Sequence, residues 1–217
     1  EDVRPLFDQL AARLLDLSGA PTGLTTDLAL ATTPSLTAYR SYLEGMEQLS
    51  AWNLLSAERL FRRAVETDTT FGLAHYKLSL TRGWIGGDRD SLGLESIRSA
   101  AEFSARLPVH DRAMINAYRL FLERDFVRSE ASYRALLQND STDADAWYGL
   151  GDVTFHNPEM KTRDALWTTS LRAFKRAITL DPDYYLAYEH LAQLYLWAAD
   201  DPPMLALLPN DSLIHLM

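Results

Sequence analysis

The sequence of 217 residues contains no cysteine. This absence excludes disulfide bridges, catalysis by a thiolate and zinc sites built on cysteine. It does not identify a compartment, because cysteine-free chains occur on both sides of a membrane. We expect a cytoplasmic location slightly more than a periplasmic one.

Positive charge is also scarce, since 21 Lys and Arg stand against 30 Asp and Glu and leave a formal net charge of −9. A nucleic acid or an anionic membrane surface attracts clustered cations, so neither is expected as the main partner. A basic or apolar peptide is compatible with this charge, although an acidic surface also serves solubility alone.

Long apolar runs are missing as well, and none approaches the length that crosses a bilayer. We therefore expect no direct insertion into a membrane. No basic segment followed by an apolar stretch opens the chain, so no signal peptide is visible. The first residue is Glu1 rather than methionine, from which we expect a fragment or a processed chain.

The motifs of common enzyme classes are absent too, among them GxxxxGK[ST], GxGxxG, HExxH and GxSxG. The segment His110-Asp111-Arg112 lacks the residue order of a kinase catalytic loop and is expected at a helix start. The five histidines lie at separations of 35, 46, 34 and 25 residues, so no two of them form an i, i+4 pair. We predict no catalytic residue, no cofactor and no metal ligand, and hence a protein that is not an enzyme.

What the sequence does contain is a helical pattern. Apolar residues recur at steps of three and four, as in segments 59–65 and 171–178. Each of these segments has an apolar face flanked by cations, which is typical of an amphipathic helix. No alternating run bounded by turn residues suggests a strand, so the fold is predicted to be all-α.

An internal repeat accompanies this pattern. In three segments a small residue is followed four positions later by an aromatic residue, seven positions later by an apolar residue, and then by a turn that contains Asp. Just upstream, Gly45, Ala117 and Gly151 are expected where two helices touch. The three segments are Ala57, Phe61, Ala64 and Asp68; Ser129, Tyr133, Leu136 and Asp140; and Ser170, Phe174, Ala177 and Asp181.

These residues resemble the tetratricopeptide repeat (TPR) family. Segment 146–151, Ala-Trp-Tyr-Gly-Leu-Gly, resembles the start of a TPR unit, and segment 170–182 resembles its end. The Thr-Thr-Pro-Ser run before the first repeat resembles bacterial multidomain signalling proteins, in which TPR arrays follow a serine/threonine kinase or transcriptional-regulator domain. The resemblance implies a right-handed superhelix of antiparallel helix pairs, an α-solenoid.

Three regions are predicted along the chain. Residues 1–33 form an N-terminal helix and a linker rich in Gly, Thr and Pro, residues 34–200 form four to five repeats, and residues 201–217 form an apolar tail or partial capping helix. Two repeats are irregular. In the second, the first helix ends at 86–88 and the next helix runs to about Leu107. In the fourth, residues 156–163 form an inserted loop.

The resemblance also implies a binding surface, because the first helices of TPR units line a concave groove. Carried over residue by residue, it predicts an aromatic, weakly acidic groove. The alternative is that several of these side chains pack between helices. The predicted groove residues are Tyr42, Tyr76, Trp84, Tyr118, Tyr148, Asp152, Phe155 and Trp197.

We accordingly predict a noncatalytic scaffold for protein–protein interaction that holds an apolar or basic peptide in this groove. One alternative is the sensory or regulatory region of a larger bacterial kinase or transcriptional regulator. Another is a permanent structural subunit of a larger complex, including one associated with a membrane. The sequence does not indicate an oligomeric state.

Overall fold

The computed structural model describes residues 33–87, 90–160 and 164–199. Within these ranges it contains nine α-helices and no strand, which confirms the all-α prediction. No helix of this part of the chain is long and apolar enough to cross a membrane. The helices are α1 (Leu36–Ser50), α2 (Leu54–Thr67), α3 (Gly72–Gly86), α4 (Ser91–Glu102), α5 (Val109–Leu122), α6 (Phe126–Asn139), α7 (Ala144–Phe155), α8 (Asp164–Leu180) and α9 (Tyr185–Ala199).

Several helices begin at a polar side chain that accepts a hydrogen bond from the first turn. The Ser35 hydroxyl accepts from the amide of Ala38 at 3.2 Å, and the Asp143 carboxylate accepts from that of Ala146 at 2.9 Å. Such a cap gives a partner to one of the amide groups that have none inside the helix. Ser35 therefore starts α1 as expected from the Thr-Pro-Ser sequence.

The Asp of the repeated turn ends three helices in the same way. Asp68, Asp140 and Asp181 follow α2, α6 and α8, and each amide donates to the carbonyl four residues earlier. Each carboxylate then accepts from the amide two residues further on, at 3.0, 2.8 and 3.0 Å respectively. This local turn explains why the same residue type recurs at this position of the repeat.

The described helices fall into two compact units. The first, residues 1–122, contains α1 to α5, in which each helix packs against the next. Gly45 of α1 faces Phe61 of α2, and a Cβ atom on Gly45 would lie 2.7 Å from the Phe61 ring. Only a residue without a side chain allows this approach. Phe61 is fully buried between Ala57 and Leu78.

The second unit, residues 123–217, contains α6 to α9. Here α7 packs against α6, α8 and α9. Gly151 of α7 faces Phe174 of α8, and a Cβ atom on Gly151 would lie 2.6 Å from that ring. Gly149, on the same helix, meets the ring of Tyr133 of α6. Pairs of helices that close around an aromatic residue and a glycine are the packing unit of a TPR-type fold.

The small, aromatic and apolar positions of the repeat are all buried. Their role is therefore to hold helix pairs together, as the resemblance implies. These nine residues are Ala57, Phe61, Ala64, Ser129, Tyr133, Leu136, Ser170, Phe174 and Ala177.

One helix is shorter than predicted. The second helix of the second repeat was expected to reach about Leu107, but α4 ends at Glu102 and a 3₁₀ turn, Phe103–Arg106, follows. Leu107 is extended, with φ −72° and ψ 155°, because the ring of Pro108 disfavours the α conformation in the residue before it. The Ser104 hydroxyl also donates to the Ala101 carbonyl, which competes with the helical hydrogen bonds.

Other predicted boundaries agree with the structure. Helix α3 ends at Gly86, and Gly87 has φ +80°, a conformation that glycine adopts without strain. Residues 156–160 lie in a loop between α7 and α8, and α9 matches the predicted first helix of the fifth repeat. The predicted N-terminal helix, most of its linker and the tail 201–217 lie outside the described residues.

Candidate functional site

The eight predicted groove residues lie on α1, α3 and α5 in the first unit and on α7 and α9 in the second. The structure divides them by burial, with five in the interior and three partly accessible. The buried residues are Tyr76, Tyr118, Tyr148, Asp152 and Phe155, and the half-buried residues are Tyr42, Trp84 and Trp197. Their assignment to a groove stays a prediction.

In the first unit the aromatic rings of three predicted groove residues contact other rings. The rings of Tyr76 and Tyr118 meet edge to face, with centroids 5.9 Å apart. Tyr42 contacts the ring of Phe71, with centroids 5.1 Å apart, and that of Phe61. Aromatic pairs at such distances stabilise the packing beyond the area that they bury. These tyrosines therefore contribute to the core.

Trp84 has a different neighbour, Trp52, which sequence analysis did not single out. The two indole rings meet edge to face with centroids 5.0 Å apart. Trp52 follows α1, has φ 61° and is 37% exposed. Positive φ is uncommon for a bulky residue, and no pattern in the sequence marks it. The two tryptophans form an accessible aromatic pair at the surface of the first unit.

In the second unit three polar side chains converge, and sequence analysis predicted one of them. Asp152 lies on α7, His156 caps the end of that helix, and His190 lies on α9. The Asp152 Oδ1 atom is 3.3 Å from Nε2 of His156 and 3.3 Å from Nε2 of His190. The two Nε2 atoms are also 3.3 Å apart. Oδ1 of Asp152 and the two Nε2 atoms thus form a triangle with equal sides.

His156 is positioned by the inserted loop. The His156 amide donates to the Asp152 carbonyl at 3.0 Å, and Asn157-Pro158 follows directly. Proline cannot continue a helix, so the chain turns there. The turn is held by the amide of Met160, which donates to the Asn157 carbonyl at 2.9 Å, and the buried Met160 anchors the loop.

His190 is held in place by ring packing and by one hydrogen bond. Its ring lies parallel to that of Phe174, with centroids 5.0 Å apart, and perpendicular to that of Phe155 at 4.7 Å. Its Nδ1 atom is 3.2 Å from the Leu186 carbonyl oxygen. A carbonyl only accepts, so Nδ1 carries a proton and donates it. Nε2 is left facing Asp152.

The electrostatics of Asp152 follow from this arrangement. Burial by itself raises the pKa of the Asp152 carboxyl, but the two imidazoles 3.3 Å from its Oδ1 atom outweigh burial and leave the pKa far below its ordinary value. Asp152 is therefore an anion inside the second unit, with two imidazoles around it.

The sequence holds one signal for this cluster. Asp152 and His156 are four residues apart, which places them on one face of a helix. No two histidines share this spacing, so the signal appears only when a carboxylate is paired with a histidine four residues away. The approach of His190 depends on the packing of α9 against α7 and has no local signal.

Consecutive described helices pack against each other within each unit, an arrangement that TPR-type helical repeats also have. No protein-family model matches the sequence. Over 133 residues the chain is 28% identical to Superkiller complex protein 3 of Homo sapiens, a match that covers 58% of this chain and 8% of that protein. The chain thus spans less than a tenth of the relative that it matches.

Two solved structures align with most of this chain. One is residues 41 to the end of MamA from Desulfovibrio magneticus RS-1, with a TM-score of 0.41 and 13% identity, covering 80% of this chain and 92% of that chain. The other is YrrB, described as a TPR protein with an unusual peptide-binding site, with a TM-score of 0.39 and 19% identity, covering 87% of this chain and 91% of that chain. Their functions do not extend to this chain on that similarity.

Proposed function

We propose that this chain is a noncatalytic scaffold that binds a segment of another protein. Helix pairs of the TPR type support this function. Their repeat residues are buried between the paired helices, so other side chains of the same helices are available to contact a partner. The similarity over 133 residues to Superkiller complex protein 3, whose name refers to a complex, agrees with a scaffold function. The observation that carries the proposal is the accessible pair of Trp52 and Trp84.

The end of α1 fixes the backbone of Trp52. The Trp52 amide donates to the Leu49 carbonyl and the Asn53 amide donates to the Gln48 carbonyl, a hydrogen-bond pattern of helix C-termini that accounts for the φ of 61°. The residue remains 37% exposed, so part of the indole is available to a partner. Tryptophan is also the residue type most enriched at the energetic centres of protein interfaces.

The finer proposal concerns the chemistry of the partner. The accessible parts of Trp52 and Trp84 suit an apolar or amphipathic segment, and the net charge of −9 favours one that carries Lys or Arg. In the second unit, Trp197 is the accessible member of the predicted set. Asp152 contributes little acidity to such a surface, because it is buried between two histidines.

A random peptide library displayed against the full chain tests this function. We expect enrichment of peptides that combine aromatic or aliphatic residues with Lys or Arg. Binding of the enriched peptides is then measured by fluorescence anisotropy. Trp84→Ala should weaken it by a factor of about ten or more, which is the effect of removing a residue at an interface centre.

Tyr185→Ala is the matched control, since Tyr185 is an exposed aromatic residue outside the predicted groove. Circular dichroism establishes that both variants are folded. Equal binding by wild type and Trp84→Ala would make the groove assignment wrong. If no peptide is enriched and the chain purifies from its source inside a fixed assembly, the structural-subunit alternative replaces the peptide scaffold. A kinase or regulator domain in the same polypeptide would favour the regulatory alternative.

A further inference from the structure

We propose that Asp152, His156 and His190 form a binding site for one divalent transition-metal ion, with Zn²⁺ as the best-fitting ion. This inference is independent of the scaffold function, since it rests on side chains inside the second unit. Two imidazoles and one carboxylate are a ligand set that zinc uses in proteins.

The distances among the three ligating atoms support the site. In a tetrahedral zinc site with bonds of about 2.0–2.1 Å, two ligand atoms lie ~3.3–3.4 Å apart. All three sides of the triangle measured here are 3.3 Å. Octahedral ions with bonds of about 2.1 Å would place neighbouring ligand atoms only ~3.0 Å apart, and Mg²⁺ also prefers oxygen ligands. The spacing therefore favours zinc.

The same distances fit a hydrogen-bonded cluster less well. A charge-assisted N–H···O bond to a carboxylate is about 2.7–2.9 Å long. Both contacts of Asp152 are longer, at 3.3 Å. A cation held by Asp152 and by both Nε2 atoms accounts for the equal spacing of the three atoms.

The surroundings of His190 match those of a metal ligand. Because Nδ1–H donates to the Leu186 carbonyl, Nε2 is the ring nitrogen left to coordinate an ion, and Nε2 is the atom in the triangle. Such a hydrogen bond from the other ring nitrogen fixes the tautomer and orientation of metal-bound histidines. Packing against Phe155 and Phe174 restrains the ring further.

Burial is graded across the cluster. The side chains of His190, Asp152 and His156 are 4%, 11% and 31% exposed. An ion would enter from the His156 side, which is the most exposed part of the cluster. A water molecule on that side would occupy the fourth coordination position of the ion. A bound ion would connect the end of α7 to α9 and stabilise their packing.

Isothermal titration of the full, tag-free chain with ZnCl₂ tests the site. We expect one equivalent to bind and the melting temperature to rise with the concentration of free Zn²⁺, because the ion binds the folded state alone. His156→Ala should weaken binding at least about a hundredfold, since it removes one of three ligands. CoCl₂ should produce the strong visible absorption of a four-coordinate ion.

His110→Ala is the matched control, because His110 is an exposed histidine whose Nδ1 also lies 3.3 Å from a carboxylate, that of Asp111. It should bind Zn²⁺ as the wild type does. His156 is partly exposed at a helix end, so its variant is expected to fold, which circular dichroism checks. The proposal is overturned if His156→Ala binds Zn²⁺ as tightly as the wild type, or if the wild type binds none. Weak, six-coordinate Co²⁺ absorption would overturn the tetrahedral site.

Discussion

At the scale of single residues, two glycines of α7 set the distance between helices in the second unit. Gly151 lies against the ring of Phe174, and Gly149 lies against the ring of Tyr133. Both rings are buried among other side chains, so neither can move aside easily. The glycines are therefore needed for close approach, and their backbone conformation does not require glycine.

Gly151→Ala should destabilise the chain by about 1–3 kcal/mol, because the new methyl group overlaps the Phe174 ring and forces the helices apart. The free energy of unfolding from urea titrations measures this effect. Gly93→Ala is the control. A Cβ atom there would meet its neighbours at 3.4 Å or more, and alanine favours a helix over glycine, so no loss is expected. Equal stability of Gly151→Ala and the wild type would contradict the packing described here.

At the scale of helices, Asp90 joins the start of α4 to α3. Its Oδ1 atom accepts from the Gly93 amide at 2.8 Å and from Nε of Arg82 at 2.9 Å, while Oδ2 accepts from the other end of the guanidinium at 2.5 Å. The Asp90 carboxylate thus caps α4 and also makes a bidentate ion pair with Arg82 of α3. The hydrogen bond from Arg82 holds the pKa of Asp90 below its ordinary value, against the effect of burial.

This lowered pKa predicts a pH dependence of stability. The stabilisation by ionised Asp90 is fully present above its unfolded pKa of about 3.9 and is lost as pH falls through the lower folded value. Asp90→Asn keeps a capping oxygen but removes the charge. It should lower the free energy of unfolding by about 1–2 kcal/mol at neutral pH. Urea titrations should find this difference shrinking below about pH 4, and a difference that stays constant down to about pH 3 would exclude the ion pair as its source.

At the scale of the whole molecule, the net charge of −9 affects association with a basic partner. The association rate of a Lys- or Arg-containing peptide should fall about three- to tenfold as salt rises from about 50 to 500 mM, because ions screen the attraction. Stopped-flow fluorescence measures this rate. An uncharged apolar peptide is the control and should show little change. Equal salt dependence for both peptides would rule out charge as a factor in partner choice.

The sequence by itself determined what local interactions decide. Helical periodicity, the Ser35 cap and the Asp68, Asp140 and Asp181 turns depend on residues within four positions of each other, so the all-α fold and most helix ends could be predicted. The recurring small and aromatic positions also located the helix contacts around Phe61 and Phe174. The exception is the end of α4, where Ser104 and Pro108 favour a 3₁₀ turn, Phe103–Arg106, over a last α-helical turn.

Only the tertiary structure decided which side chains are accessible and which meet across helices. Tyr76 and Tyr148 occupy repeat positions typical of a groove, yet both are buried, because neighbouring rings close over them. The triangle of Asp152, His156 and His190 joins residues up to 38 positions apart and exists through the packing of α9 on α7. No periodicity encodes such a contact, since it depends on the distance and rotation between two helices.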